Sequence, residues 1–194
     1  MHFETERLEL APLTLEDAQF VFDLYSTQEF KTFVGDKNLH NLDDAKKYLE
    51  TALIAMYQIK GMGLLKVTRK EDNKPVGICG LIKRDTLDDI DLGYGFLPEV
   101  FRCGYGYEAG CCMINFAKEA LNITRLVAIT TSNNVASRAL LTKLGFTFGA
   151  IQEQQGEYTL DLSQPIYLIC KPLLVKSTSQ IKTKDRWDQQ GDYS

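Results

Sequence analysis

Apolar and polar residues along this chain follow two periods, and the switches between them divide it into short strands and amphipathic helices. Residues 7–11 alternate and predict a first strand. Thr14, with Glu16 and Asp17 after it, predicts a helix start, and the helix pattern runs to about Tyr25. Residues 28–39 show no period; they carry Phe30 and Phe33 and end in turn formers, Gly35 to Asn38, so an irregular loop is predicted. Ala45, Leu49, Leu53 and Met56 share one face of a helix predicted from near Asn41 to about Ile59. Strands are predicted over 64–68 and 76–82 around a turn at 71–74, then over 90–96 after a turn at 85–89.

The strand at 90–96 feeds a Pro and a short glycine loop, Phe101, Arg102, Cys103, Gly104, Tyr105, Gly106, and then a helical pattern. Such a loop aims backbone N–H groups at one point beside a helix N-terminus, where the dipole adds positive charge and phosphate oxygens bind. Gly104 and Gly106 place no Cβ in the way. A strand at 125–130 follows. Residues 134–145 then read as a capped short helix: Asn134 at its start, Lys143 in its last turn, Gly145 just past its end, and Ala136, Leu140 and Leu144 on one face. Strands are predicted over 146–152, 158–162 and 166–170, with a turn near Gln155 and Gly156. Residues 176–194 are polar and aperiodic, and are expected to form a mobile tail or an arm on a neighbour, beyond a single domain at 1–175. Consecutive strands followed by alternating elements predict a mixed sheet flanked by helices.

Composition narrows the classes. With 194 residues, 44% hydrophobic and 25% charged, the chain is expected to be one globular domain. Its net charge of −4 argues against a general nucleic-acid binder. No apolar run spans a bilayer and no signal-peptide pattern opens the chain, so no membrane role and a cytoplasmic location are expected. Five cysteines, an odd number in mostly apolar surroundings, read as free thiols; Cys111 and Cys112 lack metal-site spacing, and no metal is expected. His2 and His40, the two histidines, offer no partner for a Cys–His nucleophile. A dinucleotide oxidoreductase is disfavoured, because the glycine loop arrives far into the chain.

The chain resembles the GNAT-type N-acetyltransferases, and more narrowly the RimJ/RimL-type protein N-terminal acetyltransferases. The pyrophosphate-loop pattern Q/R-x-x-G-x-G/A falls on residues 101–106, with Phe101 in place of Gln or Arg and Arg102 next to it. The pattern Asn-x-x-Ser followed by Lys-Leu-Gly-Phe falls on Asn134, Ser137 and residues 143–146. The opening Thr5-Glu6-Arg7-Leu8, with Ala11-Pro12-Leu13 and Glu16-Asp17, is also similar. The resemblance implies an α/β (α+β) fold with a mixed, mostly antiparallel sheet of about six to seven strands and a splayed centre. It implies acetyl-CoA as co-substrate, with Phe96 and Leu97 offering backbone groups to the pantetheine and the thioester carbonyl. It also implies that residues 30–35 and the hairpin around 155–158 flank an acceptor groove, to which Phe30, Phe33 and Tyr158 are assigned.

Acetyl transfer to an amine needs a base for the ammonium and a donor for the departing thiolate. Asp91, on the strand that leads into the loop, is the candidate base, at a position where the resembling family commonly has Glu; a surface carboxylate is the other reading. Glu153 and Glu157 are weaker candidates. Ser137 is the candidate donor, since Leu141 stands where many GNAT enzymes place a Tyr; a first-turn Ser that only bonds backbone is the other reading. Asn134 either bonds the pantetheine or caps its helix. Tyr94, Tyr105 and Tyr107 read as packing. The acceptor is expected to be a primary amine, a protein or peptide N-terminus or else a small amine of aminoglycoside or polyamine type. A non-catalytic acyl-CoA-binding module and a homodimer both stay open.

Overall fold

The computed structural model describes residues 1–152 and 155–163, with eight strands and five α-helices among them. The strands are β1 (Phe3–Glu4), β2 (Leu8–Pro12), β3 (Gly63–Arg69), β4 (Lys74–Ile82), β5 (Ile90–Phe96), β6 (Arg125–Thr131), β7 (Thr147–Gln152) and β8 (Gln155–Asp161). They join in one sheet in the order β1-β2-β3-β4-β5-β6-β8-β7. All neighbours are antiparallel except β5 and β6. The mixed, mostly antiparallel sheet is as expected, with the two-residue β1 added at one edge.

The helices are α1 (Ala18–Ser26), α2 (Gln28–Phe33), α3 (Leu42–Tyr48), α4 (Tyr105–Leu121) and α5 (Val135–Lys143). Two apolar clusters show which face each covers. One joins α4 and Leu141 of α5 to Leu65, Val67, Cys79, Leu92, Leu126 and Ala128 of the sheet. The other joins α1 to α3 to Leu64, Ile78 and Ile82, on the opposite face. The period-2 alternation of the strands distributes their side chains between these two cores.

Two local expectations are corrected. Residues 28–33 are helical: the Thr27 hydroxyl accepts the Phe30 N–H at 3.3 Å, and burial of Phe30 holds a helix too short to show a period. The helix expected to reach Ile59 is α-helical only through Tyr48. It continues as a π turn (Leu49–Leu53) and a tighter 3-10 turn (Ile54–Gln58), while Leu49 and Leu53 stay fully buried. Gln155 and Gly156 open β8, which pairs antiparallel with β7 from Gln152↔Gln155. Glu153, Cys170, the strand expected at 166–170 and the tail at 176–194 lie outside the described residues.

Cys79, Cys103 and Cys112 are free thiols, whereas Cys111 is disulfide-bonded, contrary to the expectation of free thiols throughout. Burial pushes the Cys112 thiol up to about 12, so it acts as a small apolar core residue. No helix among the described residues is long and apolar enough to cross a membrane.

The sheet opens at its centre. β5 pairs with β4 from Ile82↔Asp91 to Gly77↔Phe96. It pairs with β6 only at Ile90↔Leu126 and Asp91↔Val127, although β6 continues to Thr131 alongside β8. From Leu92 onward, β5 and β6 diverge and leave a wedge whose β5 wall has no strand partner. The Leu97 N–H bonds the Val76 carbonyl on the β4 side at 2.9 Å, so strand alternation turns the Phe96 N–H and C=O toward the wedge. An open backbone edge inside a sheet is a binding surface for a ligand that carries amides.

Candidate active site

The glycine loop stands where β5 leaves the wedge. Arg102 (φ 63°) and Gly104 (φ 83°) are both left-handed, and together they turn the chain sharply from Phe101 into α4. Gly104 adopts this conformation without Cβ strain. The first backbone bond of α4 runs from Glu108 N–H to the Gly104 carbonyl at 3.1 Å, and no side chain caps this end. The N–H groups of Tyr105, Gly106 and Tyr107 therefore lack helical acceptors. They sit at the positive end of a 17-residue helix, where about half an elementary charge is concentrated. Phe101 and Cys103 are exposed and leave the loop's outer surface open. The arrangement fits a pyrophosphate held by backbone groups. Gly106 has a second role: a Cβ there would lie 3.0 Å from Leu140 of α5 and 3.4 Å from the Phe96 ring, so it also lets α4, α5 and β5 meet.

The loop is held from behind by the N-terminal turn. The buried Glu108 carboxylate accepts from the Thr5 hydroxyl (2.6 Å), the Arg7 N–H (2.8 Å) and the Arg7 Nε (2.7 Å), and the Arg7 guanidinium also donates to the Cys103 carbonyl at 3.0 Å. The same guanidinium lies 4.7 Å from the Tyr105 ring centroid. The Thr5-Glu6-Arg7 motif thus anchors the loop rather than touching the chemistry. Glu108→Ala is expected to cost about 3 kcal/mol, the low end for breaking a buried pair because Arg7 is half exposed. It is also expected to weaken CoA binding. Urea unfolding and calorimetry check the two effects.

Across the wedge, Asn134 caps α5: its Oδ1 accepts the Ser137 N–H at 3.0 Å. The Ser137 hydroxyl lies 2.8 Å from the Tyr94 phenol oxygen, and the phenol also reaches the Ser137 carbonyl at 3.3 Å. Tyr94, read from sequence as packing, therefore links β5 to α5 over the opening. The available signal was alternation, which puts Tyr94 on the α4 face with Leu92 and Phe96. Tyr105 and Tyr107 do pack, each under a cation, Arg7 and Lys143 respectively.

Asp91 is on the other face of β5, toward α1 to α3, at the last residue paired with β6. It is only 2% exposed, which overturns the reading as a surface carboxylate. Its Oδ2 lies 2.5 Å from the Arg84 Nε. Burial pushes its carboxyl above the ordinary range, and the Arg84 charge opposes that shift. Arg84 also lies within electrostatic reach of Tyr25 and Tyr48, whose rings meet at 5.1 Å. Arg84 carries no motif. Its one trace in the sequence is the need of a carboxylate in an apolar strand for a cation.

The expected acceptor residues divide between the faces. Phe30 is 4% exposed, packs on Tyr25 at 4.8 Å between centroids, and abuts Gly95, where a Cβ would fall 2.2 Å from the ring. Phe33 is half-buried at the end of α2. Tyr158 points to the opposite face from Phe30: it is buried, bonded to Arg138 Nε at 3.0 Å and packed against Phe148, so it is not brought together with Phe30. Glu157 pairs with Ile129, one residue out of step with Tyr158 and Ala128, which places it on the Asp91 face. Among the described residues, no group of three or more His, Cys, Asp or Glu side chains could hold a metal ion.

The model of the acetyltransferase (GNAT) domain matches residues 7–147. The protein named "Uncharacterized N-acetyltransferase YoaA" of Bacillus subtilis (strain 168) is 28% identical over 171 residues, spanning 87% of this chain and 96% of that protein. An acetyltransferase from Agrobacterium tumefaciens str. C58 superposes with a TM-score of 0.72 at 24% identity, over 82% of this chain and 94% of that one. The ribosomal-protein-S5-alanine acetyltransferase from Vibrio fischeri superposes at 0.70 with 18% identity, over 85% of this chain and all (100%) of that one.

Proposed function

The chain belongs to the GNAT acetyltransferase family and is an acyltransferase; from that premise we propose that it moves an acetyl group from acetyl-CoA to the α-amine of a protein or peptide N-terminus. The observation that carries this reading is the wedge between β5 and β6, with an uncapped helix N-terminus at one end and opposite faces that carry Ser137 and Asp91. Acetyl-CoA supplies the activated thioester. The amides at the α4 N-terminus hold its pyrophosphate, and the Phe96 backbone edge lines up the amide-bearing arm. Ser137 donates a hydrogen bond to the sulfur as it leaves with the C–S electron pair. Asp91 draws the proton from the incoming ammonium through water.

Two features favour an N-terminal amine. An α-amine titrates at about 7.7–8.0 and a lysine amine at about 10.4, so the N-terminus asks less of a buried carboxylate. Glu157 stands on the Asp91 face of the sheet, a second carboxylate beside the Asp91–Arg84 pair, which suits a cation. The Vibrio fischeri protein's name places a related fold on a ribosomal protein. An acceptor panel read by CoA release tests the reading. Peptides with free N-termini are expected to support turnover and their N-acetylated forms to support none. Turnover with polyamines or aminoglycosides alone would reassign the acceptor. CoA binding with no turnover on any amine would leave an acyl-CoA-binding module. Gly104→Val is expected to lose CoA binding with the fold retained.

A further inference from the structure

We propose that Tyr94 is a positioning residue that acts through Ser137: its phenol donates to the Ser137 oxygen and so turns the Ser137 proton into the wedge. The inference rests on the reading that Ser137 donates to the leaving sulfur. A serine hydroxyl carries one proton and rotates freely unless a neighbour fixes it. In a helix its default acceptor is a carbonyl one turn back, which would aim the proton away from any ligand. Here the backbone of Ser137 is fixed by the Asn134 cap at 3.0 Å, and the Tyr94 oxygen stands 2.8 Å from Oγ. The phenol has a single proton; the Ser137 carbonyl at 3.3 Å lies beyond the usual O–H···O range, whereas Oγ at 2.8 Å lies within it, so the proton goes to Oγ. With its lone pair engaged by Tyr94, the serine has its own proton left for the opposite direction. Burial raises the Tyr94 phenol well above its ordinary value, which keeps it protonated and able to donate. Tyr94 sits on β5 two residues before Phe96, so the strand that lines the wedge also orients the donor across it.

In the transfer, the amine nitrogen forms the new C–N bond and the C–S bond breaks with its electron pair on sulfur. The ammonium loses two protons: the one Asp91 draws before attack passes on to solvent, and the one nitrogen loses after the C–N bond forms ends on that sulfur through solvent. Ser137 and Tyr94 keep their own protons and stabilise charge only, so neither needs recharging between turnovers.

The test needs no turnover. CoA and desulfo-CoA are compared by calorimetry at a pH where the thiol is partly ionised, on the wild type, Tyr94→Phe, Ser137→Ala and the double variant. The wild type is expected to prefer CoA by about tenfold or more, as one hydrogen bond to a charged group gives. Ser137→Ala is expected to abolish the preference, Tyr94→Phe to reduce it by most of that factor, and the double variant to match Ser137→Ala. Desulfo-CoA affinity is expected to stay unchanged in all four. Tyr94→His, which keeps a ring donor, is expected to restore part of the preference, and it carries the comparison if the Phe variant does not fold. A full preference in Tyr94→Phe, or equal weakening of both ligands, overturns the proposal while leaving Ser137 in place. A full preference in Ser137→Ala overturns the sulfur-donor reading itself, and this inference with it.

Discussion

Asp91→Asn is expected to slow turnover by about 10²–10⁴-fold, with acetyl-CoA binding nearly unchanged. The amide keeps the shape of the carboxylate but cannot take a proton. Asp91 suits a base because burial raises its pKa from about 3.9 toward the range where proton transfer is efficient. Arg84 limits that rise and holds the carboxylate at 2.5 Å, so the charged form stays accessible. The acidic limb of the pH–rate profile is expected to flatten in the variant. A normal rate with an unchanged profile would remove Asp91 as base and leave it as the anchor of Arg84. The raised pKa also has a signature in stability. The native state favours the protonated acid, so this contribution is fully present below about 3.9 and fades as pH rises through the folded value. Relative to Asp91→Asn, the wild type is therefore expected to lose stability as pH rises through that window. Urea midpoints of both proteins measured across it check the direction.

Phe30→Ala is expected to cost about 3–5 kcal/mol, the loss typical of a truncated core aromatic. Phe30 is 4% exposed, packs on Tyr25 with the rings tilted at 52°, and fills the space that Gly95 leaves open above β5. Its removal would leave a void directly beneath the strand that lines the wedge. Both substrates should then suffer: KM for acceptor and for acetyl-CoA are expected to rise together, with a large fall in the unfolding midpoint. Phe33→Ala is the contrasting variant. Phe33 is only half-buried, so its loss is expected to spare stability and the acetyl-CoA KM and to raise the acceptor KM alone. If Phe30→Ala left stability intact and raised only the acceptor KM, Phe30 would belong to the acceptor groove instead.

Much of the fold, and the loop and helix cap of the candidate site, were legible in the chain because their signals are local. The strand at 90–96 shows itself through its bounding turns, the loop at 101–106 through its two glycines, and α5 through Asn134 at its start and Gly145 after its end. Each of these needs only neighbouring residues to specify it. The short α2 was not legible, because six residues cannot display a helical period and its stability comes from burying Phe30. The change of winding after Tyr48 was hidden for a related reason: Leu49 and Leu53 remain inward in either winding.

The partners of the polar groups in the candidate site were decided by contacts that no local signal specifies. Glu108 meets Thr5 across 103 positions, and Tyr94 meets Ser137 across 43. Asp91 gained its buried ion pair only when β4 and β5 placed Arg84 beside it. The opening between β5 and β6 is likewise a relation between two strands, and either strand alone reads as ordinary. Sequence determined which segments would be strands, loop and helices, because backbone propensity, capping and side-chain periodicity act over a few residues. Tertiary structure decided which polar groups became partners and which edge stayed open, because burial and hydrogen bonding depend on what the rest of the chain brings alongside.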